Sequence, residues 1–210
     1  MVKETEIRQL TTEIELRAAE GDTEGNYIEG YALKFNRWSD VLYGYFREMI
    51  DPTALDDCDM SNVVATFNHS ANFPLARNTI NDGEGSLQLN VDGIGLHFRF
   101  KPTNTSYGQD LIENIRSGLI NQCSFAFGLD YNDETADEWN YISDEGIYER
   151  KLNKIAKISD ISLVTTPAYP DTEAVLGRSK DKVEKLEEIR KKKDSLPKQK
   201  LLLELDLLEL

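Results

Sequence analysis

The chain has 210 residues, with 38 acidic and 24 basic side chains and a formal net charge of -14. That length fits one domain of ordinary size with room for a tail, and the acidic balance argues against a general nucleic-acid-binding surface. Two cysteines are too few for a disulfide framework, and no apolar run approaches the length of a membrane span.

The opening residues Met1-Val-Lys-Glu-Thr-Glu6 carry no apolar signal core. A soluble chain made in a cytoplasm, with free thiols at Cys58 and Cys123, is the expectation. Residues 2–18 alternate loosely and predict a strand. A polar connection with Gly21 and Gly25 follows. Tyr27–Phe35 and Tyr45–Ile50 predict two more strands. Asp51-Pro52 reads as the N-cap and first position of a short helix ending near Asp57. Asn62–Asn68 is strand-like and delivers His69 at its end, and Phe73–Thr79 follows with Arg77.

Gly85–Val91 and Ile94–Phe100 form a hairpin across Asp92-Gly93, the strongest short-range turn signal in the chain. His97 falls out of phase with the apolar set of the second arm, so it reads as a partly exposed hairpin residue. Tyr107–Ser117 predicts a helix, with Leu111, Ile112 and Ile115 as its stripe and Gly118 as its stop. Leu119–Leu129 predicts a strand. Asp130–Glu145 reads as an acidic loop or long hairpin tip, and Ile147–Leu152 and Lys154–Val164 as returning strands. The two prolines of Thr165-Thr-Pro-Ala-Tyr-Pro170 end the sheet.

Beyond Gly177 the composition changes. Residues 177–210 hold 10 of the 24 basic residues and 8 of the 38 acidic ones, so the charge flips sign there. Val183, Leu186 and Ile189 predict a helix, Pro197 interrupts it, and Leu201–Leu210 is strongly apolar. The basic run Arg190–Lys193 suits a solvated helix face better than a phosphate backbone. Residues 1–177 are therefore expected to be the main domain and 178–210 a helical, leucine-rich association tail. The main domain's roughly eight to ten strands favour a closed or nearly closed antiparallel barrel with peripheral helices.

Candidate chemistry centres on Asn121-Gln-Cys-Ser-Phe-Ala-Phe-Gly128. Cys123, Phe125 and Phe127 fall on one side of a strand and want a core. Ser124, Ala126 and Gly128 fall on the other, a small-residue side that can stand open. Ser124 needs a base, and the chain has two histidines. Asp160 lies in the otherwise apolar Lys157-Ile-Ser-Asp-Ile-Ser-Leu-Val164, where burial calls for a partner. Orienting an imidazole is one use for it; pairing with a lysine such as Lys154, or facing solvent, is another. Cys123 is a rival nucleophile, but its packing side is opposite to that of Ser124. The separated histidines and cysteines lack metal-ligand spacing, so neither metal nor cofactor is expected.

Several segments, in order, resemble the HK97-like prohead (procapsid maturation) serine proteases of tailed bacteriophages, a group related to the herpesvirus assembly proteases. They are Gly30-Tyr-Ala-Leu-Lys-Phe-Asn36, Phe46-Arg-Glu-Met-Ile-Asp-Pro-Thr-Ala-Leu55, Phe67-Asn-His-Ser70, Leu75-Ala-Arg-Asn78, Gly108–Gly118, Cys123-Ser-Phe-Ala-Phe127 and Ser159-Asp-Ile-Ser-Leu-Val-Thr-Thr-Pro-Ala168. The resemblance covers roughly residues 27–177. It implies a herpesvirus-protease-like fold and a serine endopeptidase with Ser124 as nucleophile, His69 as base and Asp160 as third member. Arg77 becomes the side-chain candidate for oxyanion stabilisation, beside backbone N–H groups.

The resemblance also implies partners and a place of action. The partners are phage scaffold protein and major capsid protein, with self-cleavage and homo-oligomers through the tail as further possibilities. The place is the assembling procapsid in a bacterial host cytoplasm. The chain departs from the family pattern at Asp160, where glutamate is usual, at Ala76 and Ala126, where glycine is common, and at Ser70, where aspartate is usual. The alternative is a non-catalytic scaffold or capsid-accessory protein acting by binding alone.

Overall fold

The computed structural model describes residues 6–10, 15–17, 27–165 and 183–192. The chain divides into two compact units, Met1–Tyr169 and Pro170–Leu210. In the second unit residues 183–192 are helical. The apolar run Leu201–Leu210 and the prolines of the 165–170 segment lie outside the described residues.

The first unit is mainly β. Its strands are β1 (Glu6–Leu10), β2 (Glu15–Arg17), β3 (Tyr27–Lys34), β4 (Phe46–Ile50), β5 (Val64–Phe67), β6 (Ser70–Arg77), β7 (Leu87–Val91), β8 (Gly95–Phe100), β9 (Gln122–Gly128), β10 (Asp137–Ile142), β11 (Ile147–Leu152) and β12 (Lys157–Val164). One helix, α1 (Ser106–Arg116), precedes β9. The strands form three sheets, ordered β1-β9-β12-β5-β6, β2-β3-β8-β7 and β10-β11-β4.

The expected closed or nearly closed antiparallel barrel is therefore corrected: among the described residues no closed barrel is found. The sheets are open, and two pairings, β12 with β5 and β11 with β4, are parallel. Alternation along a strand fixes which side is buried but not which strand lies beside it, so counting strands could not decide closure. Within the predicted strand over 2–18 the described residues belong to β1 and β2, which lie in different sheets. The stretch Asp130–Glu145, expected to be a loop or a long hairpin tip, contains β10, which pairs antiparallel with β11.

The short helix expected after Asp51 is also absent, and residues 52–57 form turns. Asp51 Oδ1 accepts both the backbone N–H of Thr53, at 2.9 Å, and its hydroxyl, at 2.7 Å. That side-chain turn satisfies the local donors without a helix. Where the stripe was longer, the helix does form. Thr105 Oγ1 accepts the Gly108 N–H as the N-cap of α1, and Gly118, at φ +76, bonds back to Ile115 O.

The core holds the apolar sides of the two larger sheets and the α1 stripe Leu111, Ile112 and Ile115. Cys123, Phe125 and Phe127 of β9 all face it and are fully buried. Within the sheet β9 pairs antiparallel with β1, whose Gln9 is in register with Ser124. That first strand is tied down through Glu6. Both Glu6 carboxylate oxygens bond the guanidinium of Arg150, at 2.8 and 3.0 Å, and Arg150 is 2% exposed. Glu48 and Asp137 contact the same guanidinium. Removing one partner from a buried ionic cluster costs about 3–5 kcal/mol, so the clamp fastens β1 to β11 of the three-stranded sheet.

Candidate active site

His69 occupies an unusual piece of backbone. β5 and β6 are joined by a two-residue turn, Asn68-His69, closed by the Phe67–Ser70 pair. Both turn residues have positive φ, 50° and 55°. A two-residue hairpin of this hand needs such angles, and residues other than glycine pay for them. The neighbouring strand β12 stitches the turn in place. Asn68 N–H donates to Leu163 O at 3.0 Å, Thr165 N–H donates to Asn68 Oδ1 at 3.2 Å, and His69 N–H donates to Ser162 Oγ at 2.8 Å.

The imidazole then lies between two groups from two other strands. His69 Nε2 is 2.6 Å from Ser124 Oγ on β9. His69 Nδ1 is 2.5 Å from Asp160 Oδ2 on β12. A carboxylate can only accept, so Nδ1 carries the proton and Nε2 is left to accept the serine hydroxyl. Lys154, the alternative partner weighed for Asp160, is bonded to Asp133 instead, at 2.8 Å.

Strand pairing explains how residues far apart in the chain meet here. Ser162 of β12 stands opposite Ser124 of β9 on one side and Thr66 of β5 on the other. Asp160 is one step along β12 on the same side of the sheet, opposite Ala126 and Val64. A register shift in β12 between Ile158 and Asp160 sets this phase. The Ala126 position therefore stands beside Asp160.

Two further residues join the site that the sequence reading did not single out. Thr66 Oγ1 donates to Asp160 Oδ1 at 2.7 Å, and Ser162 Oγ accepts the His69 N–H. A signal for Ser162 was present, since it lies two residues after Asp160 and so on the same side of a strand. Thr66 carried no such signal, because pairing with β12 is what brings it in.

The side of β9 expected to stand open is covered. Ser124 is 0% exposed, as is Ser162, while the side chains of His69 and Asp160 are each 17% exposed. Cys123 faces the core, and burial pushes its thiol well above the usual range. Cys58, half-buried, is pushed up to about 11, chiefly by burial. Neither sulfur meets the imidazole bonds described above.

Arg77 ends β6, opposite Val64, and is exposed. It lies in the same five-stranded sheet as Ser124 but three strands away. His97 stands apart, on β8 of the four-stranded sheet, half-buried with its ring edge-on to Tyr31 at 5.2 Å. Among the described residues no group of three His, Cys, Asp or Glu side chains is arranged to hold a metal ion. No helix of the described residues is long and apolar enough to cross a membrane.

Comparison with known proteins adds a family and a structural neighbour. A family model described as caudovirus prohead serine protease matches residues 12–189. Among solved structures the chain is similar to the bacteriophage T4 capsid assembly protease, with 14% sequence identity and a TM-score of 0.44. The match covers 78% of this chain and 96% of that one. No curated protein matches the chain.

Proposed function

The chain belongs to the caudovirus prohead serine protease family, and from that premise we propose that it is an endopeptidase whose catalytic groups are Ser124, His69 and Asp160. The observation that carries this reading is the imidazole bonded at once to a serine hydroxyl and a carboxylate, at 2.6 and 2.5 Å. His69 Nε2 takes the proton from Ser124 Oγ as that oxygen attacks a peptide carbonyl. The C–N bond breaks as the imidazolium returns the proton to the leaving amine. Water then attacks the acyl-enzyme by the same route in reverse. Asp160 keeps the imidazole in the required tautomer and stabilises its cation.

The tetrahedral oxyanion needs donors. Backbone N–H groups and the Arg77 guanidinium are the candidates. Arg77, three strands from Ser124, must extend across the sheet to take part.

The substrates we propose are the scaffold and major capsid proteins of the assembling procapsid, with the protease's own chain as a further target. The site of action is then the inside of that procapsid, in the host cytoplasm. We propose 1–177 as the protease domain and 178–210 as an association element. The deciding experiment co-expresses the protein with its coat and scaffold proteins and follows their mass. Wild-type protein should trim them and Ser124→Ala should leave them whole. Full processing by Ser124→Ala refutes the assignment.

A further inference from the structure

Thr66 and Ser162 take no part in the bond-making steps just described, yet both hydroxyls are buried against the groups that do. Thr66 is 5% exposed and Ser162 0%. With Ser124 they form one rung across three neighbouring strands.

Counting protons fixes the direction of each bond. Asp160 Oδ1 can only accept, so the single Thr66 hydroxyl proton goes to it, over 2.7 Å. Ser162 Oγ accepts the His69 backbone N–H and has its own proton left for Thr66, whose Oγ1 lies at 3.2 Å and whose carbonyl oxygen lies at 3.3 Å. Ser162 thus holds the backbone of a histidine at φ +55, and Thr66 holds the free oxygen of the carboxylate that orients the ring.

We propose that Thr66 and Ser162 are positioning residues for hydrolysis: Thr66 commits Asp160 to the rotamer that meets His69 Nδ1, and Ser162 pins the His69 main chain so that Nε2 faces Ser124. The proposal rests on the Ser–His–Asp reading and deepens it. Without Thr66 the Asp160 side chain, already 17% exposed, turns toward water and its bond to Nδ1 weakens. Without Ser162 the turn loses the bond that holds its strained second residue. The charged residues that strand register places on this side of the sheet, among those described, are Asp160, Arg77 and Lys157, the last paired with Asp59 at 3.3 Å.

The test reads the hydrogen bond as well as the rate. In the Ser124→Ala protein, proton NMR follows the Nδ1–H resonance of His69, with His97 in another sheet as the internal control. Thr66→Val should move that resonance upfield or lose it to exchange, because the carboxylate is no longer held against the imidazole. In the active protein the same change should lower kcat about tenfold at unchanged KM, the worth of one hydrogen bond to a charged group.

Thr66→Ser, which keeps the hydroxyl, should restore both readings. If Thr66→Val does not fold, Ser162→Ala takes its place, with an upfield resonance and lower kcat expected. A resonance unchanged in these variants, with only the melting temperature lowered, would mean that the hydroxyls merely satisfy buried polar groups, and would overturn the proposal. Failure of the underlying reading is separate, since it shows as processing by Ser124→Ala whatever the resonance does.

Discussion

Asp160 Oδ2 stands 2.5 Å from His69 Nδ1 although aspartate is one methylene shorter than the glutamate usual in this family. The left-handed turn at Asn68-His69 is bonded to β12 itself, and the register shift in β12 sets the side on which Asp160 projects. Asp160→Asn should present an amide N–H to Nδ1 and favour the wrong tautomer. We expect kcat to fall by about 10³-fold or more with the fold retained. Asp160→Glu adds length where both carboxylate oxygens are already engaged, so its activity should lie between wild type and Asp160→Asn. Wild-type cleavage by Asp160→Asn, in a peptide assay, would remove Asp160 from the mechanism.

Cys123 and Ser124 are neighbours in sequence with opposite surroundings. Cys123 packs in the core with its thiol held protonated, whereas Ser124 meets an imidazole. A fluorophosphonate should therefore label Ser124 and spare Cys123, as located by mass spectrometry of the digested protein. Cys123→Ala should still be labelled and still cleave. Labelling that disappears in Cys123→Ala while the protein stays folded would reverse the assignment.

The turn that carries His69 is held in a conformation that only some residues accept. Asn68 sits at φ 50 and its amide oxygen accepts from Thr165. Asn68→Ala should destabilise the protein by about 1–3 kcal/mol in urea unfolding, from the left-handed backbone and the lost bond together. Asn68→Gly should recover the backbone part. Equal stability of the alanine and glycine variants would show that the turn is not under strain.

Acid should loosen the protein at three repeated turns. Asp51, Asp59 and Asp133 each accept the N–H and the hydroxyl of the residue two positions on, Thr53, Ser61 and Thr135. Each also meets a lysine from one stretch of chain, Lys151, Lys157 and Lys154. These bonds hold all three carboxyls at about 2 instead of 3.8; the lysine bond leads for Asp51 and Asp133, the Ser61 hydroxyl for Asp59. A depressed folded value means that the stabilisation is complete above pH 3.8 and is lost as pH falls toward about 2. Thermal melts across that window should show a falling melting temperature, and a shallower fall in the triple Asp→Asn variant. An equal slope in both would place the acid-sensitive groups elsewhere.

The proposed association element can be tested by its removal. A 1–177 protein should still cleave a short peptide but should show lower oligomer mass, or weaker scaffold binding, by light scattering. Unchanged association together with a destabilised domain would make residues 178–210 part of the domain's own structure.

The sequence by itself determined the local matters. Alternation placed most strands of the main unit, the α1 stripe with Gly118 placed the helix, and Asp92-Gly93 placed a hairpin, because each depends on neighbours a few residues apart. It also put Cys123 and Ser124 on opposite sides of one strand, and it brought Ser124, His69 and Asp160 forward as the residues to watch. Only the tertiary structure decided the rest. Whether strands close into a barrel, whether β12 lies between β5 and β9, and whether Thr66 and Ser162 fall beside the imidazole are questions of pairing between distant segments. Period-two alternation carries no record of the partner strand. The backbone of His69 is the sharpest case: nothing in Phe67-Asn-His-Ser70 states that β12 will hold it left-handed, yet that bond aims the ring.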